Sequence, residues 1–363
     1  MSNFSSPSST FIPKVVKNHE DDSVVSNDFS TTLGALILSL VVLLGVPGNL
    51  FIIWSILARA RRCSVTTLLI LNLACADGFL MALTIFFIIY LAKQTWVFGD
   101  AMCKGLFYLC NANMYASIFL ITLMSVHRMV VVVLPRKVTT LVNKKVVRRV
   151  IVGTWVLVMF ISIPSLVFRD VRDDHDEKNR TRLVCAPNHT QSRHYALETV
   201  SGFILPYAVI IISYVLILRR LRKTKFQRKV RSEKLILAIV VMFGLFWLPY
   251  HVINMIQVTA EWYPENTAMR ENRAVTSALA FISSCANPVL YTFAAKSYIK
   301  KNGVAFMARL FEGTSFDQTG TKKSKEHGEL SAVDHSNVNN CTVSAYSYIS
   351  VLSPYEYVYI QTC

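Results

Sequence analysis

The sequence predicts an all-α integral membrane protein, a seven-transmembrane helix bundle with an amphipathic eighth helix. Three observations predict it. Seven apolar blocks follow one another along 363 residues, each reaching or approaching the ~20 residues needed to cross a hydrocarbon core of about 30 Å. Lys and Arg gather between alternate blocks, as they do on the cytoplasmic side of a bilayer. Only 17% of the residues are charged and 53% are hydrophobic, whereas a soluble domain carries about a quarter charged residues.

The blocks cover residues 33–58, 65–91, 106–134, 151–168, 195–218, 235–258 and 274–294. Residues 1–32 precede them as an extracellular tail; lacking an apolar h-region, they are not expected to be a cleavable signal peptide, and the first span serves as the insertion signal. Arg59, Arg61 and Arg62 follow span one, and Arg136, Lys137, Lys144, Lys145, Arg148 and Arg149 follow span three. A still denser run from Arg219 to Lys234 follows span five, and Lys296, Lys300, Lys301 and Arg309 follow span seven. The basic side is therefore cytoplasmic and the N-terminus extracellular. The bundle takes up 33–294, an amphipathic helix 8 follows over 295–312, and the polar Ser/Thr-rich segment 313–363 reads as a disordered cytoplasmic tail.

The same assignment explains the net charge of +16. These bases are stop-transfer charges beside lipid headgroups, and no basic groove interleaved with aromatics points to nucleic acid. Three N-x-S/T sequons, at Asn3, Asn179 and Asn188, fall on the predicted outside and are candidate glycosylation sites. Cys103 opens span three on the outer face and Cys185 lies in the loop between spans four and five, where an oxidising exterior favours a disulfide between them. No CxxC pair or HxxxH helix supports a metal site.

Polar groups inside hydrocarbon are costly, which makes each a functional candidate. Asn49 lies in GVPGN of span one, Asp77 in LNLACAD of span two, Asn113 and Ser117 in span three, and Ser283, Ser284 and Asn287 in SSCANPVLY of span seven. They are expected to form a polar pocket around one carboxylate, suited to a hydrated sodium ion or a proton. Prolines at Pro164, Pro206, Pro249 and Pro288 sit within spans, each removing one backbone hydrogen bond and permitting a kink. In FWLPYHVIN, Trp247, Tyr250 and Asn254 recur at i, i+3 and i+7 and share a helix face. An indole, a phenol and an amide on one face point to a pocket and not to lipid.

GVPGN, LNLACAD, the Cys103/Cys185 pair, Arg128 ending span three, Trp155 in span four, FWLPYH and NPVLY occur in order, one signature per helix. Together they resemble the rhodopsin-like (class A) G-protein-coupled receptors. WSILAR, SVTTLLILNLACAD, TWVFG, MYASIFLIT, LETVSGFILP, FWLPYHVIN, ALAFISSCANPVLY and GVAFMARLFEGT are similar to the leukotriene B4 receptors. LET and RLFEG lean toward the low-affinity type, WSIL and SVTTLLILNLA toward the other.

The resemblance implies a receptor for leukotriene B4 or a related hydroxy fatty acid, acting at the plasma membrane through a heterotrimeric G protein of the inhibitory class. It implies Arg169 and Arg273 for the ligand carboxylate, with Arg193 a third candidate, and Glu198, Tyr250 and Asn254 for its hydroxyls. Tyr115 supports Glu198, and Phe107 replaces a histidine found in the high-affinity type. Arg128 is the expected G-protein contact, with Tyr214 and Tyr291 as its active-state partners. His127 stands where the family pattern has an acid, so the salt bridge that would hold Arg128 inward is missing. Arrestin and receptor kinases are expected at Ser315, Thr319, Thr321 and Ser324 of the tail.

Two other readings of the sequence exist. A same-fold receptor for a chemotactic peptide would use the acidic patch Glu20, Asp21 and Asp22. A retinal pump, transporter or intramembrane enzyme is disfavoured: span seven has no mid-span lysine, and no nucleophile, base and orienting group converge.

Overall fold

A computed structural model describes residues 28–59, 64–134, 144–175, 181–187, 192–223, 230–260 and 273–294. Helix α1 (Asp28–Trp54) continues into a π-helical turn, Ser55–Arg59. Then come α2 (Val65–Lys93) and α3 (Gly99–Val133), and α4 (Lys144–Ile161), extended by one further turn, Pro164–Val167. Helix α5 comprises Ser192–Thr199, a π-helical turn Val200–Ile204, and Leu205–Lys223. Helices α6 (Val230–Ala260) and α7 (Arg273–Ala294) complete the bundle. Five of these are long and apolar enough to cross a membrane; in α6 and α7 the described apolar stretches are Val240–Ile256 and Ala274–Val289. The segments 295–312 and 313–363, the three sequons and the third cytoplasmic loop lie outside the described residues.

Hydropathy alone places several helix starts too late. Helix α1 begins at Asp28, an acid in the first turn where the helix dipole favours one, and its carboxylate also accepts the Gln94 side-chain amide at 2.9 Å. Helix α3 begins at Gly99 and not at 106, because its outer turns are polar. There Lys104 pairs with Asp100 one turn back and with Asp170 at 3.0 Å. Ser64 caps α2 by accepting the Thr67 N–H at 3.1 Å.

The prolines act in two ways. Helix α4 ends at Ile161 and restarts at Pro164, which takes the first turn, where a missing N–H costs no helical hydrogen bond; Ile163 before it keeps helical angles. The π-helical turn of α5 stops just short of Pro206, absorbing the missing N–H and the ring. Pro47, Pro249 and Pro288 lie within continuous helices. Helix α2 runs unbroken past Thr84, whose hydroxyl donates back to the Leu80 carbonyl at 2.9 Å.

The core lies where α2, α3, α4, α5 and α6 meet, around Leu73, Met114, Ile118, Ile121, Ile210 and Phe243. The Trp155 indole N–H donates to Asn72 at 3.2 Å and fixes α4 on α2; the Tyr108 hydroxyl donates to the Met159 carbonyl at 3.1 Å and fixes α3 on α4. Leu36, Leu40 and Leu43 of α1, Val156 and Phe160 of α4, and Ile212 of α5 face outward, an apolar shell that suits lipid.

An unpredicted element covers the outer end. Strands β1 (Arg169–His175) and β2 (Thr181–Pro187) form an antiparallel hairpin, with Arg169 opposite Pro187 and His175 opposite Thr181. The Cys103–Cys185 disulfide ties it to α3, with 5.8 Å between the α-carbons. Arg182 and Asp174 pair across the hairpin at 2.7 Å. The loop after α2 holds it from the side: the Trp96 N–H donates to the Leu183 carbonyl at 2.8 Å, and the Leu183 N–H donates to Thr95 Oγ1 at 3.1 Å.

Helices α1 and α7 touch at Gly48, where an added Cβ would lie 2.8 Å from the Pro288 ring. A proline ring cannot swing aside, so the contact requires glycine. Gly48→Val is expected to destabilise the receptor by about 1–3 kcal/mol; thermal unfolding of detergent-purified protein should show a lowered Tm, and an unchanged Tm would refute the contact.

Candidate functional site

Three polar groupings stand out within the bundle. The first surrounds Asp77, which is fully buried. Asn287 donates to its Oδ2 at 2.8 Å and Ser117 to its Oδ1 at 3.3 Å, and the buried Ser284 side chain lies beside the carboxylate. Asn49 donates to the carbonyls of Gly45 at 3.0 Å and Ser284 at 3.3 Å, linking α1 to the same stretch of α7. Asn113 is buried nearby on α3, and its side-chain carbonyl oxygen has no hydrogen-bond partner among the described residues. One expected member belongs elsewhere: Ser283 accepts the Trp247 indole N–H at 2.9 Å. The neighbouring Ser284 faces Asp77 instead, because consecutive helical residues point about 100° apart.

The second grouping lies toward the outer face. Glu198 lies in the last turn of the first segment of α5 and is 3% exposed. The Tyr250 hydroxyl donates to its Oε1 at 2.8 Å, and the Asn254 amide donates to the same oxygen at 3.2 Å. Two donors on one oxygen keep a buried carboxylate from being stranded without partners. The Asn254 carbonyl oxygen has no partner among the described residues. His251, on the next face of α6, stacks on Phe203 with 4.7 Å between ring centroids and lies 3.3 Å from Thr199 Oγ1. The Tyr115 hydroxyl lies 3.4 Å from Ser201 Oγ, one turn along α5 from Glu198.

A cavity opens beside Tyr250. Leu38, Phe87, Phe107, Trp247 and Phe281 are among its walls, so it is shared by α1, α2, α3, α6 and α7, and Asn111, Ser277 and Tyr250 are its few polar residues. Trp247 stands edge to face with Tyr250, the ring centroids 5.7 Å apart. On the α3 side the Arg169 guanidinium lies over Phe107, its central carbon 3.6 Å from the ring centroid. Arg169 begins β1 and donates to the Cys185 carbonyl at 3.4 Å. Phe107, expected as a lost hydrogen bond, is thus the surface on which a cation rests. Arg273 opens α7, but its side chain, like those of Arg193 and Tyr291, lies outside the described residues.

The third grouping is at the foot of α3. His127 and Arg128 are both buried, and neither ring nitrogen of His127 has a hydrogen-bond partner among the described residues. Tyr214 is half-buried against the main core.

Sequence reasoning missed the β-hairpin and the stacking of Arg169 on Phe107, and neither leaves a periodic signal in the sequence.

The family model for the 7 transmembrane receptor (rhodopsin family) matches residues 48–291. The chain is 37% identical to leukotriene B4 receptor 1 of Homo sapiens over 313 residues, covering 83% of this chain and 88% of that protein. It is 35% identical to leukotriene B4 receptor 2 of Homo sapiens over 321 residues, covering 84% and 87%. It is 32% identical to the C3a anaphylatoxin chemotactic receptor of Oncorhynchus mykiss over 301 residues, covering 77% and 78%.

Proposed function

This chain belongs to the rhodopsin family of seven-transmembrane receptors, a family of receptors and not of enzymes, and on that premise we propose that it binds leukotriene B4 or a related hydroxy fatty acid and signals through a G protein of the inhibitory class. The observation that carries the reading is one apolar cavity whose wall residue Phe107 carries the Arg169 guanidinium on its ring, and whose wall residue Tyr250 leads to a buried acid–phenol–amide cluster. A fatty acid with one carboxylate and hydroxyls along its chain matches that layout. Its chain fills the apolar space, its carboxylate meets Arg169, and its hydroxyls donate to Glu198 and Asn254. The receptor sits in the plasma membrane with its N-terminus outside, which accords with the basic runs between alternate spans.

The full-length receptor, expressed in cells with a sensor of G-protein dissociation, should respond to leukotriene B4 or to a shorter hydroxy acid. Glu198→Gln and Tyr250→Phe should each weaken that response by about tenfold, the worth of a hydrogen bond to a charged group. A fatty acid without hydroxyls should lose much less. A second reading, a receptor for a chemotactic peptide, draws on the similarity to a C3a receptor; a response to C3a peptide with none to any hydroxy fatty acid would replace the first reading.

At the cytoplasmic end, agonist stabilises the state in which Arg128 meets the G protein, with Tyr214 and Tyr291 as its partners. His127 cannot offer Arg128 the salt bridge that an acid would, so the resting state is weakly latched. His127→Asp should lower basal signalling about fivefold if the new pair is worth about 1 kcal/mol. A basal level that is unchanged or raised would refute the loose latch. Arg128→Ala should abolish coupling while leaving ligand binding in place, as read by radioligand saturation.

The Asp77 cluster fits a sodium ion. Its donors are hard oxygens, namely the Asp77 carboxylate and the hydroxyls of Ser117 and Ser284, and the carbonyl oxygen of Asn113 is an unmatched acceptor nearby. Asn49, Asn287 and Ser283 set the surrounding frame. A bound ion would neutralise the carboxylate and favour the resting state. Sodium should raise the Tm of the purified receptor relative to choline, and Asp77→Asn should remove that increment; a sodium effect that survives Asp77→Asn would place the ion elsewhere.

A further inference from the structure

The pairing of Arg169 with Phe107 joins the outer hairpin to the cavity wall, and several restraints hold it in place. Arg169 is the first residue of β1, its backbone held opposite Pro187. Its guanidinium donates to the carbonyl of Cys185, the residue whose sulfur is bonded to Cys103. Cys103 and Phe107 are four residues apart on α3, so they lie on one face of that helix. The disulfide brings the hairpin down onto the face where Phe107 waits, and the guanidinium settles on the ring with its central carbon 3.6 Å from the centroid, inside the range in which a cation is attracted to an aromatic face.

The ring itself is fixed. Phe107 meets Phe87 edge to face at 5.1 Å and 87°, and Phe87 meets Phe281 at 5.9 Å and 65°. Three rings from α3, α2 and α7 therefore brace one another, and all three line the cavity. Stacking engages the flat face of a guanidinium and leaves its N–H donors in the plane at the edge. A braced ring thus sets the plane in which those donors lie.

We propose that Phe107 is a specificity-determining residue for acidic lipids, its ring holding the Arg169 guanidinium at the cavity boundary in the orientation that receives a ligand carboxylate. This rests on the reading of the receptor as a fatty-acid receptor. Phe107 acts through Arg169, as a positioning residue, while its exposed ring surface packs against the carbons next to the carboxyl group. The device selects the carboxylate head and is indifferent to hydroxyls farther along the chain.

The test compares an acid with its neutral ester. Full-length receptor in lipid nanodiscs is titrated with leukotriene B4 and with leukotriene B4 methyl ester, in the wild type and in Phe107→Leu, Phe107→Tyr and Arg169→Gln. Phe107→Leu keeps an apolar side chain but removes the aromatic face. It should weaken acid binding by on the order of 5- to 30-fold more than ester binding. Phe107→Tyr should restore the preference for the acid. Arg169→Gln should abolish that preference, and Phe107→Leu added to it should cause no further loss specific to the acid. Ester binding reports whether each variant is folded. Equal losses of acid and ester in Phe107→Leu, or no restoration by Phe107→Tyr, would reduce the ring to packing and overturn the proposal. A wild-type receptor that binds neither form would instead overturn the fatty-acid reading, and the inference with it.

Discussion

Hydrocarbon offers a polar atom no partner, and the rest of this structure depends on that constraint. Most backbone and side-chain polar groups at membrane depth are satisfied from within the bundle, and atoms of Asn113, Asn254 and His127 are exceptions among the described residues. Helices answer for most of the backbone. The side chains answer in pairs that cross from helix to helix: Trp155 to Asn72, Tyr108 to Met159, Trp247 to Ser283, and Asn49 to the carbonyl of Ser284. Such bonds act as registration marks. They decide how far each helix is rotated and which residues can meet in the interior.

The two buried carboxylates follow from the same constraint with opposite emphasis. Asp77 is ringed by hydroxyls and an amide from α3 and α7, a set of small oxygen-bearing groups around one charge. Glu198 instead receives the Tyr250 phenol and the Asn254 amide from α6, and Tyr250 also borders the open cavity. One acid is closed in by the helices that pack together. The other sits between α5 and α6 beside a space that a ligand can enter.

The spans and the polar residues inside them were legible in the sequence for this reason. Long apolar runs have one economical structure in a bilayer, and a carboxylate such as Asp77 within one is conspicuous. What depends on a single turn was not legible. Ser283 and Ser284 are adjacent and chemically alike, yet helix rotation sends one to Trp247 and the other to Asp77. The outer hairpin was hidden too, since RDVRDDH and TRLVCAP lack the alternation that marks a half-buried strand. It is held by pairing, a disulfide and contacts from the loop after α2, none of which leaves a periodic trace. Helix starts at Asp28 and Gly99 were misjudged because their first turns are polar and lie beyond the hydrocarbon.

The outer hairpin and the cavity form one mechanical unit. The disulfide fixes β2 to α3, the pairing of β1 with β2 carries that restraint to Arg169, and Phe107 on α3 receives the guanidinium. The path begins and ends on the same helix, enclosing a short loop of contacts with little freedom. Across the cavity, Tyr250 sits on the helix that carries Pro249 and contacts Trp247 edge to face. A ligand spanning both sides would link a rigid wall, α3 with its hairpin, to a helix whose missing backbone hydrogen bond permits bending. Arg128 lies at the far end of that rigid wall. Force applied between Arg169 and Tyr250 would therefore act on the relative position of α3 and α6.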